Sequence, residues 1–521
     1  MTAGKKQIVV IGAGIGGLAA AVRLAHAGCA VTVVERHATA GGKLRTLPSV
    51  AGPVDTGPTV LTLRNVFDKL FVDVGERLED HLTLTRQTLL ARHFWSDGTM
   101  LDLDADPARS AANIEAVFGT KARSEFEQFC TKAQKLFDGF DAPMMQAPQP
   151  SLFDLTKHVL QNPSLIPAMA PLKTLAGMLN TQFHEKKLGQ LFGRYATYVG
   201  GSPYQSPAIL GLIWHAEAQG VWTIKGGMHQ LAVALEKLAK RKGVTFRYDC
   251  DVKRIESQGG RAAYVTAGDL RLRTDAVLFN GDPQALVKGA LGHIAQKAVA
   301  AKATSPRSLS ACVYAFAGQP SGPALAHHTV FFGDDPKAEF NALAQGRLPD
   351  DPSLYICAQD RGDGHTTPEI ERFEIILNAP PTTQPTATGE SQCHPLIFDR
   401  LRQFGLTFSP TPLESTLTTP QMFERLFPHS DGALYGRSPH GMMAAFARPT
   451  ARTAMQGLYL AGGGAHPGAG LPMATLSGQH AAEAILSDLT STSTSPKTAM
   501  PGGTLTGSAT AAPKQSRSSG L

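Results

Sequence analysis

Three glycines near the amino terminus have the spacing of a phosphate-binding turn. Gly12, Gly14 and Gly17 occupy the glycine positions of a GxGxxG pattern, and Ala13 and Gly16 lie between them. In such a turn the first glycine allows a tight bend, the second lets the backbone approach a pyrophosphate, and the third lets a helix pack closely on a strand. The spacing therefore predicts dinucleotide binding, against the alternative of a glycine turn that binds nothing.

The flanking residues predict the elements that position this turn. Residues 7–11 are a β-branched run typical of a buried parallel strand, residues 18–27 are rich in Ala and Leu, and residues 30–34 form a second β-branched run. A helix that begins at the turn directs free backbone N–H groups at phosphate. Glu35 follows where an acid binds a ribose hydroxyl, which disfavours NADP and favours FAD or NAD.

A second glycine pair comes shortly after the acid. Arg36 is the next residue, Gly42 ends the pair, and Lys43 supplies a point charge suited to phosphate unless it is a solvated loop lysine. This order resembles the double-glycine flavoprotein pattern of amine oxidases, protoporphyrinogen oxidase and carotene desaturases. The resemblance implies that these residues contact FAD, and that Gly57, Pro58 and Thr59 run beneath the flavin ring.

Two later positions belong to the same resemblance. A helix is predicted to open at residues 226–228 and to stop at Gly243, and residues 244–248 and 252–255 predict strands. This order is similar to the part of such flavoproteins that returns to the nucleotide domain. The resemblance implies that Val252 packs on or hydrogen-bonds the adenine, unless it is an ordinary strand valine. Asp282, just after a predicted strand, is expected at the cofactor.

The carboxyl-terminal motif narrows the resemblance. An apolar strand at residues 457–461 leads into Gly462 and Gly463, and a helix is predicted over residues 474–487, just after Met473. Strand, glycine cluster and helix again supply backbone amides for a phosphate or flavin edge.

The run between these glycines and the helix, residues 466–470, reads His-Pro-Gly-Ala-Gly and is similar to the signature of bacterial-type carotenoid desaturases, FAD-dependent oxidoreductases of the phytoene desaturase family. The likeness extends over residues 7–487. Residues 57–62, 327–335 and 473–478 look closest to the hydroxyneurosporene desaturase branch of that family.

The resemblance implies an activity and a substrate. The enzyme would place a C-3,4 double bond in a 1-hydroxy- or 1-methoxy-neurosporene-type acyclic carotenoid, with hydride transfer to the flavin and proton loss to a base or water. Oxygen or a quinone would accept the electrons. Four alternatives stay open: a multi-step phytoene desaturase, a carotenoid isomerase, an amine oxidase-like enzyme, and a non-enzymatic lipid escort of the same fold.

No catalytic base can be identified from the residues. His466 and Arg194 are weak catalytic candidates, although His466 could equally shape the flavin loop, and Arg194 with Tyr195 could belong to a structural helix. His327 and His328 lack metal-ligand spacing, so we expect polar residues of the surface or substrate domain and no metal.

The order of motifs predicts an α/β fold in which one Rossmann-like FAD-binding domain is assembled from separated segments. We expect FAD-binding segments at 1–75, 221–290 and 449–489, a helical substrate- or membrane-facing region at 76–220, and an inserted mixed α+β substrate domain at 291–448. Residues 490–521, rich in Ser, Thr, Gly, Ala and Pro, are expected to be a disordered tail.

Composition limits the partners. The net charge is +6, and Lys497, Lys514 and Arg517 give the tail +3 of it, so the charge favours no nucleic-acid partner. No uninterrupted run of 18 apolar residues exists, so a spanning helix is unexpected. A carotenoid resides in lipid. We therefore expect a cytoplasmic protein peripherally associated with the inner, photosynthetic membrane. Residues 151–180 would be the docking surface, and within them the apolar stretch 165–173 could instead be a kinked core helix.

Overall fold

The computed structural model describes residues 4–362, 366–382 and 389–491. Its strands are β1 (Gln7–Ile11), β2 (Ala30–Val34), β3 (Thr46–Leu47), β4 (Val54–Asp55), β5 (Leu84–Arg86), β6 (Leu89–Phe94), β7 (Met100–Asp104), β8 (Trp222–Ile224), β9 (Thr245–Arg247), β10 (Arg254–Gln258), β11 (Arg261–Ala267), β12 (Leu270–Arg273), β13 (Ala276–Phe279), β14 (Ser310–Ser321), β15 (His328–Phe331), β16 (Leu354–Ala358), β17 (Glu371–Ala379), β18 (Thr407–Ser409), β19 (Leu417–Thr418) and β20 (Leu458–Leu460).

The helices connect these strands. They are α1 (Ile15–His26), α2 (Arg64–Val72), α3 (Pro107–Phe118), α4 (Thr120–Phe140), α5 (Leu152–Gln161), α6 (Leu165–Met169), α7 (Leu175–Gln182), α8 (Lys186–Gly193), α9 (Leu212–Ala218), α10 (Gln230–Arg241), α11 (Pro283–Val287), α12 (His293–Gln296), α13 (Pro336–Ala344), α14 (Gly389–Gln403), α15 (Pro420–Leu426), α16 (Ala444–Ala447) and α17 (Leu471–Ser491). None of those that the structure describes is long and apolar enough to cross a membrane.

A five-stranded parallel sheet in the order β20-β13-β1-β2-β9 carries the nucleotide-binding half. The predicted limits of β1, β2 and β13 are confirmed. Helix α1 begins at Ile15 rather than residue 18, because Gly16 and Gly17 belong to its first turn, where a side chain would strike the neighbouring strand ends. The Rossmann-like α/β fold is confirmed.

An eight-stranded sheet forms the other half, in the order β18-β14-β17-β16-β15-β6-β7 with β19 paired to β14. Its pairs are antiparallel except β6 with β15. The prediction of a helical region at 76–220 omitted β5, β6 and β7, and it is wrong for these three strands. Asp97-Gly98 between two apolar runs is a hairpin signal that indicates the β6–β7 pair. The sheet buries these residues, which overrides any local helical preference.

The observed bounds of α17 and β10 also differ from the predicted ones. Helix α17 begins at Leu471 rather than residue 474 and continues to Ser491, past the predicted end of the folded chain at 489. The rest of the predicted tail, residues 492–521, lies outside the described residues. Strand β10 begins at Arg254, so Val252 precedes the strand. Its alternative reading as a strand residue is therefore wrong.

Segments far apart in the chain are held together by one buried carboxylate. Asp55, at the end of β4, accepts hydrogen bonds from the backbone N–H groups of Met228 (2.6 Å) and His229 (3.0 Å), just before α10. A Cβ on Gly227 would lie 2.4 Å from this carboxylate, so only glycine fits there. The contact fixes residues 57–59 relative to the second nucleotide-binding segment.

Candidate functional site

One large cavity lies between the two sheets. Its volume is about 1780 Å³, and its wall includes the glycine turn after β1, the glycine pair before Lys43 and strands of the large sheet. Pockets for a single drug-sized ligand measure about 300–1,000 Å³. The cavity therefore has room for a dinucleotide and a second ligand. It lies at the carboxyl ends of β1, β13 and β20, where open α/β sheets bind ligands.

The GxGxxG glycines pack around one side chain that sequence reasoning missed. Asn280 follows β13 and donates from Nδ2 to the carbonyl of Gly12 at 3.1 Å. A Cβ on Gly16 would lie 2.7 Å from Asn280 Oδ1 and 2.8 Å from the Gly462 nitrogen, and one on Gly17 would lie 2.2 Å from the Gly12 carbonyl oxygen. Three strand ends can converge here only because these side chains are absent.

The second glycine pair lies directly against the first turn. Gly14 and Gly41 form a β-bridge, and a Cβ on Gly42 would lie 3.1 Å from the Gly14 Cα. A Cβ on Gly57 would lie 2.1 Å from the carbonyl oxygen of Lys43. Glycine backbone thus forms a cradle on the cavity wall, and free N–H groups at the start of α1 adjoin it. Such a cradle fits a diphosphate.

Glu35 ties the cradle to the second strand. Its carboxylate accepts hydrogen bonds from the backbone N–H of Ala13 (2.6 Å) and of His37 (2.9 Å), and the side chain is buried on the cavity wall. Arg36 also lines the cavity. The acid therefore holds the glycine turn in place, and its contact with a ribose hydroxyl stays a prediction.

Lys43 is a partly buried cation on the cavity wall, and its contacts favour a cofactor role over a solvated loop lysine. Its Nζ donates to the carbonyl of Leu434 and lies 5.6 Å from the ring centroid of Phe427. Burial lowers the pKa of Lys43 to about 8, and the nearby Asp282 carboxylate opposes that shift. The ammonium, with the nearby guanidinium groups of Arg307 and Arg448, would attract an anion into this end of the cavity.

A second cation, missed from the sequence, stands at the same end of the cavity. Arg448 donates to the carbonyls of Gly463 (2.9 Å), Tyr435 (3.0 Å) and Arg437 (2.7 Å), and burial lowers its pKa to about 10. It thereby fixes the loop after β20. A lone arginine in an otherwise unremarkable stretch gives no sequence signal for this role.

The remaining predicted cofactor residues also reach the cavity wall. Asp282 pairs with Arg307 and caps α11 through the N–H of Gln284 at 3.0 Å, so its carboxylate already has partners. The wall further includes the following predicted positions: Pro58, Thr59, Val252, Gly462, Gly463 and Met473. Met473 lies in the first turn of α17, where backbone N–H groups are free for a ligand.

His466 helps to fix the conformation of the loop between β20 and α17. One ring nitrogen, Nε2, lies 2.9 Å from the carbonyl oxygen of Ala147, and the ring stacks on His480 at 5.9 Å. Burial lowers the pKa of His466 to about 4, so the imidazole is neutral at physiological pH. These contacts favour its structural role over a catalytic one.

The paired histidines lie in the sheet of the predicted substrate domain, which was one of the two expected places, and they are not at the surface. His327 and His328 are buried at the start of β15 because the antiparallel partner β16 covers them. With Cys357 they form a group of potential metal ligands whose atoms lie within 4.8 Å of one another. The Cys357 Sγ lies 3.6 Å from Nε2 of His327, and burial raises the pKa of this thiol well above its usual range. This geometry fits a neutral thiol–imidazole contact.

Arg194 stands on the wall away from the glycine cradle. It follows α8 in a 3₁₀ turn, and its guanidinium lies 5.5 Å from the ring centroid of Tyr198 and 5.2 Å from that of Tyr355. The hydroxyl of Tyr355 in turn lies 2.7 Å from Oγ1 of Thr59. The candidate residue therefore reaches the cavity next to the segment that the resemblance places beneath the flavin.

A buried carboxyl on the same wall escaped sequence reasoning. Glu374 lies in β17 with no exposed surface, and the backbone N–H of Gly57 is directed at its carboxyl group. Burial raises the pKa of Glu374 well above its usual range, and the Asp55 carboxylate adds to this. Burial therefore favours the protonated, uncharged form of this acid. A single glutamate in a strand with alternating burial carries no local signal of this kind.

Comparison with known proteins now decides the family. The family model described as flavin containing amine oxidoreductase matches residues 15–373. The chain belongs to this family. Flavin containing amine oxidoreductases have the fold and the flavin chemistry that the glycine motifs predicted. FAD as cofactor and oxidoreductase activity are therefore confirmed, while the contacts of individual residues with FAD stay predictions.

Relatives and a solved structure cover nearly the whole chain. Hydroxyneurosporene desaturase of Cereibacter sphaeroides is 54% identical over 488 residues, which are 94% of this chain and 99% of that protein. The protein of the same name from Rhodobacter capsulatus is 49% identical, over 92% of this chain and 98% of its own length. The likeness to carotenoid desaturases inferred from the His-Pro-Gly-Ala-Gly run is therefore confirmed.

The structural comparison extends to amine oxidases. Cyclohexylamine oxidase from Brevibacterium oxydans matches with a TM-score of 0.57 at 18% identity, covering 94% of this chain and 100% of that one. At such low identity the likeness shows the shared fold alone.

Proposed function

We propose that this flavoprotein is a carotenoid desaturase that introduces the C-3,4 double bond into a 1-hydroxy- or 1-methoxy-neurosporene-type acyclic carotenoid. The observation that carries the proposal is the large cavity, whose glycine cradle fits a diphosphate and whose remaining wall is largely apolar. The names of the two relatives, at 54% and 49% identity, supply the substrate class.

The cofactor end of the cavity fits FAD. The glycine cradle offers close backbone approach, Lys43 offers a positive charge, and the first turn of α17 offers free N–H groups. These groups would hold the diphosphate and the flavin edge. When bound, FAD accepts the hydride that leaves the carotenoid.

The protein's own contribution is orientation and exclusion of water. Tyr355 and Thr59 form a hydrogen-bonded pair beside the expected flavin plane, and burial raises the pKa of Glu374 well above its usual range, which favours its uncharged form. A neutral apolar wall lets a hydrocarbon chain lie against the flavin without removing charges from water. His466 contributes by holding the loop that borders the flavin.

Among the alternatives, a lipid escort or an isomerase would need no net electron transfer to FAD. Anaerobic mixing of the FAD-loaded protein with 1-hydroxyneurosporene distinguishes them, because only a desaturase bleaches the flavin absorbance as a longer-wavelength carotenoid forms. We expect bleaching with a stoichiometry of one flavin per double bond. A changed carotenoid with oxidised flavin would instead support isomerisation, and an unchanged carotenoid would support an escort.

We also propose that helices α5 and α6, within residues 151–180, dock on the membrane surface. None of the residues of α5 is buried. In α6, where a kinked core helix is the alternative, Leu165 and Ala168 are buried. Large apolar side chains exposed in this segment are Leu152, Phe153, Leu160, Ile166 and Leu172. Leu155 and Met169, from the same two helices, line the cavity. A carotenoid could therefore pass from lipid to the flavin along one set of helices.

A further inference from the structure

The part of the cavity wall around Arg194 places a cation where the ligand is otherwise apolar. The guanidinium lies over the rings of Tyr198 (5.5 Å) and Tyr355 (5.2 Å). No carboxylate of the described residues lies within 4.0 Å of it to form an ion pair, unlike the buried Arg307 with Asp282. Arginine carries five N–H donors and no acceptor. The site therefore has donors available for a ligand oxygen.

The nearest carboxylate is fully used by other groups. Glu217 is buried, and its two oxygens accept hydrogen bonds from the hydroxyls of Tyr195 and Tyr198, each at 2.7 Å. Glu217 thus balances the charge of Arg194 through space and orients the Tyr198 ring beneath the guanidinium. Arg194 thus stays charged at a partly exposed position on the cavity wall, and it directs one of its five donors at the Tyr198 hydroxyl, which leaves others for a ligand oxygen.

The Tyr355 side chain connects this cation to the segment expected beneath the flavin. The Tyr355 hydroxyl lies 2.6 Å from Nδ1 of His328 and 2.7 Å from Oγ1 of Thr59. The ring of Tyr355 is therefore fixed at its far end, and Arg194 stacks on its face. One tyrosine thus contacts both the guanidinium and Thr59.

We propose that Arg194 is the binding site for the C-1 oxygen of the substrate, donating a hydrogen bond to its hydroxyl or methoxyl group. The inference rests on the proposed function and deepens it. In such a substrate only C-2 separates the oxygen-bearing carbon from the C-3 to C-4 bond. A group that binds the oxygen must therefore lie close to the flavin, as Arg194 does.

The same site disfavours an unsubstituted end group. A hydrocarbon end placed on the guanidinium would remove water from a cation and leave its donors without acceptors. Sites built to hydrogen-bond a substrate hydroxyl reject analogues that lack it far more strongly than apolar pockets reject an extra group. Arg194 would thus select oxygenated carotenoids over neurosporene, and a methoxyl oxygen would be accepted as well as a hydroxyl.

The experiment compares 1-hydroxyneurosporene with neurosporene in wild type, R194M and R194K. We expect wild type to favour the hydroxylated substrate in kcat/KM, and R194M to lower that preference roughly 10- to 100-fold, the usual contribution of a hydrogen bond to a charged group. R194K should restore part of the preference. K186M, which removes an exposed cation of the same cavity wall, is the matched control and should leave it unchanged.

A binding measurement separates recognition from turnover. Titration of each carotenoid into FAD-loaded wild type should give tighter binding of 1-hydroxyneurosporene and its methoxy derivative than of neurosporene, and R194M should remove the difference. Equal binding of all three by wild type would overturn the inference without any variant. An R194M preference equal to that of wild type would overturn it too, as would loss of FAD from folded R194M. Failure of wild type to desaturate the hydroxylated substrate would instead refute the proposed function.

Discussion

The two ends of the cavity are built in different ways. At the cofactor end, most contacts join residues of short motifs: Glu35 accepts from Ala13, and Gly14 and Gly41 form a β-bridge. At the substrate end, Arg194 and Glu374 come from elements far apart in the chain, and the Glu374 carboxyl group is fully buried. The cofactor end binds one fixed ligand with backbone. The substrate end keeps buried polar groups that a ligand or a proton must satisfy.

Among the variants of the cofactor end, Gly17→Ala is expected to have the largest effect. The new Cβ would lie 2.2 Å from the Gly12 carbonyl oxygen and 2.9 Å from Asn280 Nδ2, and backbone cannot yield cheaply. We expect loss of at least 1–3 kcal/mol of folding free energy, the usual cost of overpacking, and near-complete loss of bound FAD. Flavin absorbance per protein and thermal unfolding measure both.

Gly189→Ala is the matched control for that variant. The nearest atom to its new Cβ is Asn180 Oδ1, at an ordinary 3.8 Å, and the position lies within α8. Alanine should stabilise the helix slightly and leave FAD content unchanged. If Gly17→Ala retained FAD as well as Gly189→Ala does, the close packing of the glycine turn would not be what holds the cofactor.

Lys43 tests whether charge matters at the cofactor end. Its pKa is lowered to about 8 by burial, so the ammonium loses its proton as pH rises through that value, or somewhat higher once an anion is bound. We expect the Kd for FAD to increase above pH 8 in wild type. K43M should bind FAD roughly tenfold or more weakly at pH 7, with no such pH dependence, and K43R should keep affinity at high pH. If the Kd of wild type for FAD did not change with pH, the charge of Lys43 would not contribute to FAD binding.

The exposed apolar residues offer a comparison between the two halves of the molecule. F153D and L160D place charges on α5, whereas V50D places the same charge on an exposed loop residue of the nucleotide-binding half. We expect flotation with anionic lipid vesicles to fall several-fold for the α5 variants and not for V50D. Equal flotation of all three variants and wild type would exclude α5 from membrane docking.

The smallest expected effect comes from Glu374 and concerns stability. Its folded-state pKa is raised, so above its ordinary value of about 4.5 the unfolded chain releases this proton and the folded chain resists doing so. Wild type therefore loses unfolding free energy at this site as pH rises through that value. E374Q should be more stable than wild type at pH 7, and the difference should vanish below about pH 4. A constant difference across pH would contradict the buried neutral acid.

Sequence reasoning reached the cofactor end because its signals are local. The glycines after β1, Glu35 and Lys43 lie within one βαβ unit, and their spacing alone fixes how they meet. Few residues of the substrate end could be predicted from the sequence. Strands β16 and β17 bring Tyr355 and Glu374 to the cavity by long-range pairing, which the spacing of residues does not encode. For the same reason the sequence left open whether His327 and His328 lie at the surface or in the substrate domain, where the sheet buries them.

The central claim is that one cavity lets FAD oxidise a carotenoid already oxygenated at C-1. The most direct test incubates the purified FAD-loaded protein with 1-hydroxyneurosporene and, separately, with phytoene, and compares the product spectra. The account predicts one added conjugated double bond in the hydroxylated carotenoid and no change in phytoene. Stepwise desaturation of phytoene to coloured products, with the hydroxylated carotenoid unchanged, would contradict it.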